Sequence, residues 1–157
     1  GDIAMTLAQL LPQAKITIVT TPQPAAQSVA RRSAEMAAKV DLEVMGIIEN
    51  MAGFTTPEGE TFSIFGEGGG QLLADELEVP LFGSVPLSEE LREHADVGNP
   101  LSVDQPDSPA GQAIVEIARK IIATSPIELP MIETIQTTAP EIAPKMGKNA
   151  RELPLVQ

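Results

Sequence analysis

The stretch VMGIIENMAGFTTPEGETFSIFGEGGG, residues 44–70, runs from an apolar segment through a polar insertion with a Pro-Gly turn to a triple glycine. Val44–Ile48 carries a buried-strand signature, and Glu43–Ile48 reads as a strand. Asn50 is the polar residue at the end of that strand. Open α/β sheets bind ligands outside the carboxyl ends of their strands, so residues 44–70 are expected to form one wall of a nucleotide site. Asn50 reads in two ways. Its amide carries a donor and an acceptor, matching the amino and ring-nitrogen edge of adenine; asparagine is also a common turn former. Gly68-Gly69-Gly70 reads as a phosphate cradle or as a turn in close backbone contact with a neighbour. The spacing GxxxxGK[ST], which a phosphate loop needs for its Lys and its magnesium-binding hydroxyl, occurs nowhere in the chain. That favours the packing turn.

The flanking sequence continues the same architecture. Asp2–Leu11 reads as a helix with Asp2 as N-cap, ended by Pro12. Ile16–Thr20 is a short β-branched strand. A helix follows from Pro24 to about Val40, with Val29, Ala30, Ser33, Met36, Ala37 and Val40 as its inner stripe. Within the polar insertion 50–63, Phe54 and Phe62 flank the Pro57-Glu58-Gly59 turn and are expected to pair across a small hairpin. A helix at Gln71–Leu77, a strand at Val79–Val85 and a helix at Glu89–Ala95 capped by Ser88 come next. The last helix, from Pro109 to about Ala123, is capped by Ser108 and buries Ile114, Ile117, Ala118, Ile121 and Ile122. Strand–helix alternation of this kind implies right-handed crossovers and a parallel sheet. Residues 124–157 change character: five prolines and no sustained period predict a largely flexible tail.

Composition narrows the chemistry. The net charge of −12 disfavours nucleic acid and anionic membrane as partners and suits a cytoplasmic surface. There is no Cys and one His, which excludes disulfides, thiolate ligands, cysteine nucleophiles and multi-His metal centres. No apolar run reaches the length of a membrane span. Glu49, Glu58, Glu60 and Glu67 have no metal-ligand spacing and read as a solvated acidic face. His94, in a polar helix with no nucleophile motif, is expected to face solvent. Arg92 and Asp96 are spaced for a surface ion pair of small value. The first residues, GDIAMTLAQLLP, enter directly into a helical pattern and read as the continuation of a longer protein.

Four segments in order carry a resemblance: IENM at 48–51, IFGEGGG at 64–70 with Leu73-Ala74 after it, VPLFGSVPL at 79–87, and LRE followed by Asp96-Val97-Gly98-Asn99-Pro100. Together they resemble the Mrp/ApbC-type P-loop ATPases, iron–sulfur cluster carriers related to MinD and ParA. The resemblance covers roughly residues 1–123, as the C-terminal portion of a parallel-sheet P-loop domain with helices on both faces. It implies ATP and magnesium as cofactors, a homodimer, and iron–sulfur acceptor proteins as partners. Asn50 would hydrogen-bond adenine, Pro86 and Leu87 would line the base pocket, and Asp2 would belong to the switch that senses the γ-phosphate. Thr20, Thr21 and Pro22 would lie near the nucleotide and the dimer face.

The resemblance places the phosphate loop upstream of Gly1, so residues 1–157 alone are expected to hydrolyse no ATP. One departure bears on the cargo. The family commonly carries Cys-Pro-x-Cys between the IENM and IFG segments; here Thr56 and Gly59 stand at those positions. Neither replaces a thiolate for iron, so a cluster bridged in the usual way does not follow from this sequence. Two rival readings share the fold: a MinD/ParA-like positioning ATPase, and a non-catalytic interaction module.

Overall fold

The computed structural model describes residues 5, 6, 8, 10, 11, 13–56 and 60–125. Asp2, the turn Pro57-Glu58-Gly59 and the proline-rich tail from residue 126 lie outside the described residues. The elements are β1 (Lys15–Thr20), α1 (Pro24–Lys39), β2 (Glu43–Thr55), β3 (Thr61–Phe62), α2 (Gly69–Glu76), β4 (Leu81–Leu87), α3 (Glu89–Asp96), α4 (Leu101–Asp104) and α5 (Pro109–Thr124). The fold is α/β, as the strand–helix alternation predicts.

β2 is the centre of the sheet. β1 pairs with it in parallel from Lys15↔Glu43 to Thr20↔Glu49, and β4 pairs in parallel from Ile47↔Leu81 to Asn50↔Val85. β2 runs seven residues past the expected end at Ile48, because its C-terminal part forms the predicted hairpin. Phe54 opposes Phe62 and Thr55 opposes Thr61 in the antiparallel pair with β3. Phe54 also opposes Leu87 of β4. A strand residue has only two edges, so β3 lies on the β1 side of β2, beyond the carboxyl end of β1. Among the described residues, β1 and β4 each pair only with β2.

The β2–β4 ladder jumps from Asn50↔Val85 to Phe54↔Leu87. Opposite the excursion sits Pro86, which has no N–H to donate to a ladder. Met51 (φ 57°) and Gly53 (φ 82°) take the left-handed conformation that lets β2 bulge there. Pro86 and Leu87 are thus residues of the strand, which reaches two positions further than the apolar run Val79–Val85 indicates.

Helices cover both faces. On one, α1 and α2 close a core of Ile18, Ala30, Ala34, Ile47, Leu73 and Ala74. On the other, α5 covers Met45, Phe82, Val85 and Ile117. The inward face of α1 is rotated from the expected stripe: Gln27, Ala30, Ala34 and Ala37 are buried, while Val29 is 62% exposed. Alanine at the contact lets the helix approach the sheet closely, which turns the bulkier Val29 toward the open edge of β1. In α5, Ile117 is buried and Ile114 and Ile121 pack against it, but Ala118 and Ile122 face solvent. No described helix is long and apolar enough to cross a membrane.

Caps form where predicted. The Leu91 N–H donates to Ser88 Oγ (3.2 Å) and the Gly111 N–H to Ser108 Oγ (3.1 Å). His94 departs from its expected solvent-facing role. Its side chain is 17% exposed, with Nδ1 3.1 Å from the Asn99 carbonyl and Nε2 3.3 Å from Gln105 Nε2. It ties the end of α3 to α4, a short helix that the Asp- and Pro-rich loop did not reveal. Between α1 and α2, Arg31 and Glu76 form a two-pronged ion pair with both N–O distances 2.6 Å. The hydrogen bond from Arg31 holds the Glu76 carboxyl below its ordinary range and raises Arg31 in turn. Both groups are exposed, so the pair adds little stability.

Candidate functional site

The parallel ladder ends at one place. Glu49 is the last residue of β2 paired to both neighbours, Thr20 on β1 and Ser84 on β4. Asn50 follows it, just before the bulge. A groove of about 380 Å³ opens beside this point, along the edge of β1 that pairs with no strand among the described residues. Val19, Thr20, Thr21, Val29, Ser33 and Asn50 contribute to its wall. The structure therefore brings Asn50 together with Thr20 and Thr21 at the carboxyl ends of the parallel strands.

Asn50 is half-buried. Its Oδ1 accepts from the Met51 N–H (2.9 Å), while its Nδ2 has no partner among the described residues. That bond supports the left-handed Met51, so the turn-forming reading of Asn50 describes part of what it does. One lone pair of Oδ1 and both N–H groups of Nδ2 remain for a ligand. Thr21 Oγ1 is the single side-chain oxygen among the described residues that is buried with no hydrogen-bond partner. An unpaired buried hydroxyl costs about 1–3 kcal/mol. Pro86 and Leu87 stand on β4, one strand away from β1, and are not part of the groove's wall.

The triple glycine is a packing device. A Cβ on Gly69 would lie 2.4 Å from the Pro22 carbonyl oxygen and 2.0 Å from Gln27 Nε2. A Cβ on Gly70 would lie 2.7 Å from Glu49 Cβ. Gly68, at φ 70°, is the N-cap of α2. These glycines bring the first turn of α2 against the loop after β1 and against the end of β2.

Glu49 corrects the sequence reading. Its residue is 5% exposed, so it is no part of a solvated acidic face. Oε1 accepts from the Gly70 N–H (2.7 Å) and Oε2 from the Ser84 hydroxyl (3.0 Å). A carboxylate at a helix N-terminus is stabilised by the free N–H groups there, and Gly68 offers no side chain to cap them. A signal existed: counting by twos from Ile47 puts Glu49 on the face covered by α2.

At the position of the first expected thiolate, Thr56 is part of the hairpin. Its N–H donates to the Glu60 carbonyl (2.8 Å) and its Oγ1 accepts from the Glu60 N–H (3.3 Å). Gly59, the second position, lies outside the described residues. The described residues contain no cluster of three His, Cys, Asp or Glu side chains suited to a metal ion.

A family model described as the NUBPL iron-transfer P-loop NTPases, within ParA, matches residues 1–122. Among curated proteins, the iron–sulfur cluster carrier protein of Mycobacterium tuberculosis is 44% identical over 124 residues, covering 75% of this chain and 32% of that protein. The carrier of Bacillus subtilis is 42% identical over 130 residues, covering 82% of this chain and 36% of its own length. The chain thus spans about a third of the length of these curated relatives. Among solved structures, a nucleotide-binding protein of Archaeoglobus fulgidus in complex with ADP superposes with a TM-score of 0.57 at 31% identity, covering 69% of this chain and 44% of that one. The cell division protein MinD of Aquifex aeolicus, at 22% identity and a TM-score of 0.55, over 76% of this chain and 48% of its own, shares the fold. With the ordered segments from Ile48 to Pro100 falling inside the matched range, this chain belongs to the NUBPL iron-transfer P-loop NTPase family.

Proposed function

We propose that residues 1–123 are the base-binding half of an ATP-binding, ATP-hydrolysing iron–sulfur cluster carrier, with Asn50 reading the adenine. The observation that carries this reading is the placement of Asn50, whose Nδ2 has no partner among the described residues, beside Thr20 and Thr21 where the parallel ladder ends. This chain carries no phosphate-loop motif, so in this reading phosphate binding, magnesium and water attack belong to sequence outside residues 1–157. Hydrolysis would rest on positioning and charge neutralisation of the transferred phosphoryl group. Asp2 would sense the γ-phosphate, and Pro86 and Leu87 would flank the base from the β4 side. A homodimer and iron–sulfur acceptor proteins complete the proposal; the acidic surface favours it over a membrane- or DNA-positioning ATPase.

The test is direct binding of ATP and GTP to the full-length protein by calorimetry. Asn50→Ala is expected to weaken ATP about tenfold, the worth of one or two hydrogen bonds. GTP should be unaffected, because guanine presents a carbonyl where adenine presents its amino group. Unchanged ATP affinity would remove Asn50 from base recognition.

The cargo is the second point. A chain with no thiolate cannot hold iron through cysteine. Anaerobic reconstitution of residues 1–157 with iron and sulfide is expected to give no visible cluster absorption after desalting. A stable brown species with stoichiometric iron and sulfide would show that other ligands hold it.

A further inference from the structure

Asn50 sits at a point the backbone alone holds poorly. The β2–β4 ladder stops at Asn50↔Val85 and resumes at Phe54↔Leu87, and the residues between include two in the left-handed conformation. The β1 ladder stops one residue earlier, at Thr20↔Glu49. Three residues of bulge follow Asn50 directly, and on the β1 side it has no ladder partner.

Glu49 is the fixed point before that excursion. Its carboxylate joins three elements: β2, which carries it, the first turn of α2 through Gly70 (2.7 Å), and β4 through Ser84 (3.0 Å). The Gly70 contact is close enough that a Cβ on that glycine would collide with Glu49. The bonds are oriented across the strand, so they resist sliding and twisting of the residue that precedes Asn50. Burial raises the value of the Gly70 bond above all, since little water competes for that carboxylate oxygen.

We propose that Glu49 is a positioning residue for base recognition: its buried carboxylate locks the end of β2 to α2 and β4, and so holds the Asn50 amide in the orientation that discriminates adenine. The proposal rests on the adenine reading of Asn50. Glu49 touches no base itself; its effect passes through the backbone of its neighbour.

ATP and GTP binding to the full-length protein, measured on a set of variants, tests it. Glu49→Ala is expected to reduce the preference for ATP over GTP about tenfold, as Asn50→Ala does. Glu49→Gln keeps an acceptor for Gly70 N–H and places a donor toward Ser84, and should hold the preference within about twofold. Ser84→Ala removes one part-buried bond and should reduce the preference about threefold without unfolding the protein. The double variant Glu49→Ala/Asn50→Ala should lose no more discrimination than Asn50→Ala alone. A role confined to stability would lower the unfolding temperature and weaken both nucleotides equally, and that result overturns the proposal. If Asn50→Ala loses the preference while Glu49→Ala keeps it, the adenine reading stands and positioning fails. If Asn50→Ala keeps the preference, the adenine reading fails and the positioning role falls with it. Should Glu49→Ala not fold, an unchanged preference in Ser84→Ala overturns the proposal.

Discussion

Phe82→Ala is expected to lower the unfolding free energy by about 3–5 kcal/mol, a large part of the 5–15 kcal/mol typical of a domain. Phe82 is 1% exposed and is the largest fully buried side chain among the described residues. It lies with Met45, Val85 and Ile117 under α5. Its ring fills the space over Gly46, where a Cβ would come within 2.4 Å of Cε2. The neighbour best placed to fill the vacated volume therefore has no side chain to offer, and the cavity stays open. That argues for the upper part of the range, because the cost of a truncation grows with the residual cavity. The same geometry predicts coupling. Gly46→Ala alone overpacks the site, whereas in the Phe82→Ala background its methyl enters the cavity. The double variant should be more stable than the sum of the single effects by about 1 kcal/mol or more. Denaturant unfolding midpoints check both statements. A Phe82→Ala loss below about 1.5 kcal/mol would mean that the core under α5 relaxes freely.

Gly69→Ala is expected to cost about 3 kcal/mol and to disturb the candidate site as well. The added methyl would meet the Pro22 carbonyl oxygen at 2.4 Å and its carbon at 2.9 Å. These are backbone atoms, so no rotamer change relieves the clash. It would also displace Gln27, whose Nε2 donates to that same carbonyl (2.8 Å). Gln27 is buried, and losing the bond leaves both groups unpaired. Relief requires the loop after β1 to move away from α2, which shifts Thr20 and Thr21 in the groove wall. ATP affinity of the full-length protein should fall along with stability. Gly68→Ala is the contrast within the same run. Gly68 has open space around its Cβ position and φ 70°, so the substitution costs only the left-handed strain of about 1–2 kcal/mol. A Gly69→Ala variant no less stable than Gly68→Ala would refute the close-contact account.

Much of the fold was legible because its determinants are local. The β-branched run Ile16–Thr20 and the apolar run Val44–Ile48 lie in neighbouring parallel strands. Ser88 and Ser108 cap helices through bonds three residues long. Phe54 and Phe62 oppose one another in the short antiparallel pair, as the flanking of Pro57-Glu58-Gly59 led one to expect. Even the reading of the triple glycine as a packing turn needed only the missing Lys and Ser of a phosphate loop. Asn50 was singled out through the order of its neighbours, and the structure sets it beside Thr20 and Thr21.

Other features depend on partners that no local pattern reveals. Glu49 resembles every other glutamate in an acidic chain until the fold brings it to Gly70, 21 residues away, and Ser84, 35 residues away. The inner face of α1 is set by how near that helix lies to the sheet, which favours alanines over the valine its period selects. Pro86 marks a strand's end by propensity, yet it lies within β4 because β2 bulges opposite its missing N–H. The α/β class and the lack of any thiolate can be read from the residues alone, because strand–helix alternation and composition carry them, while the family was reached through the resemblance of four ordered motifs. The burial of Glu49, the unpaired Thr21 hydroxyl and the setting of Asn50 come from the folded chain, because each depends on contacts between distant segments.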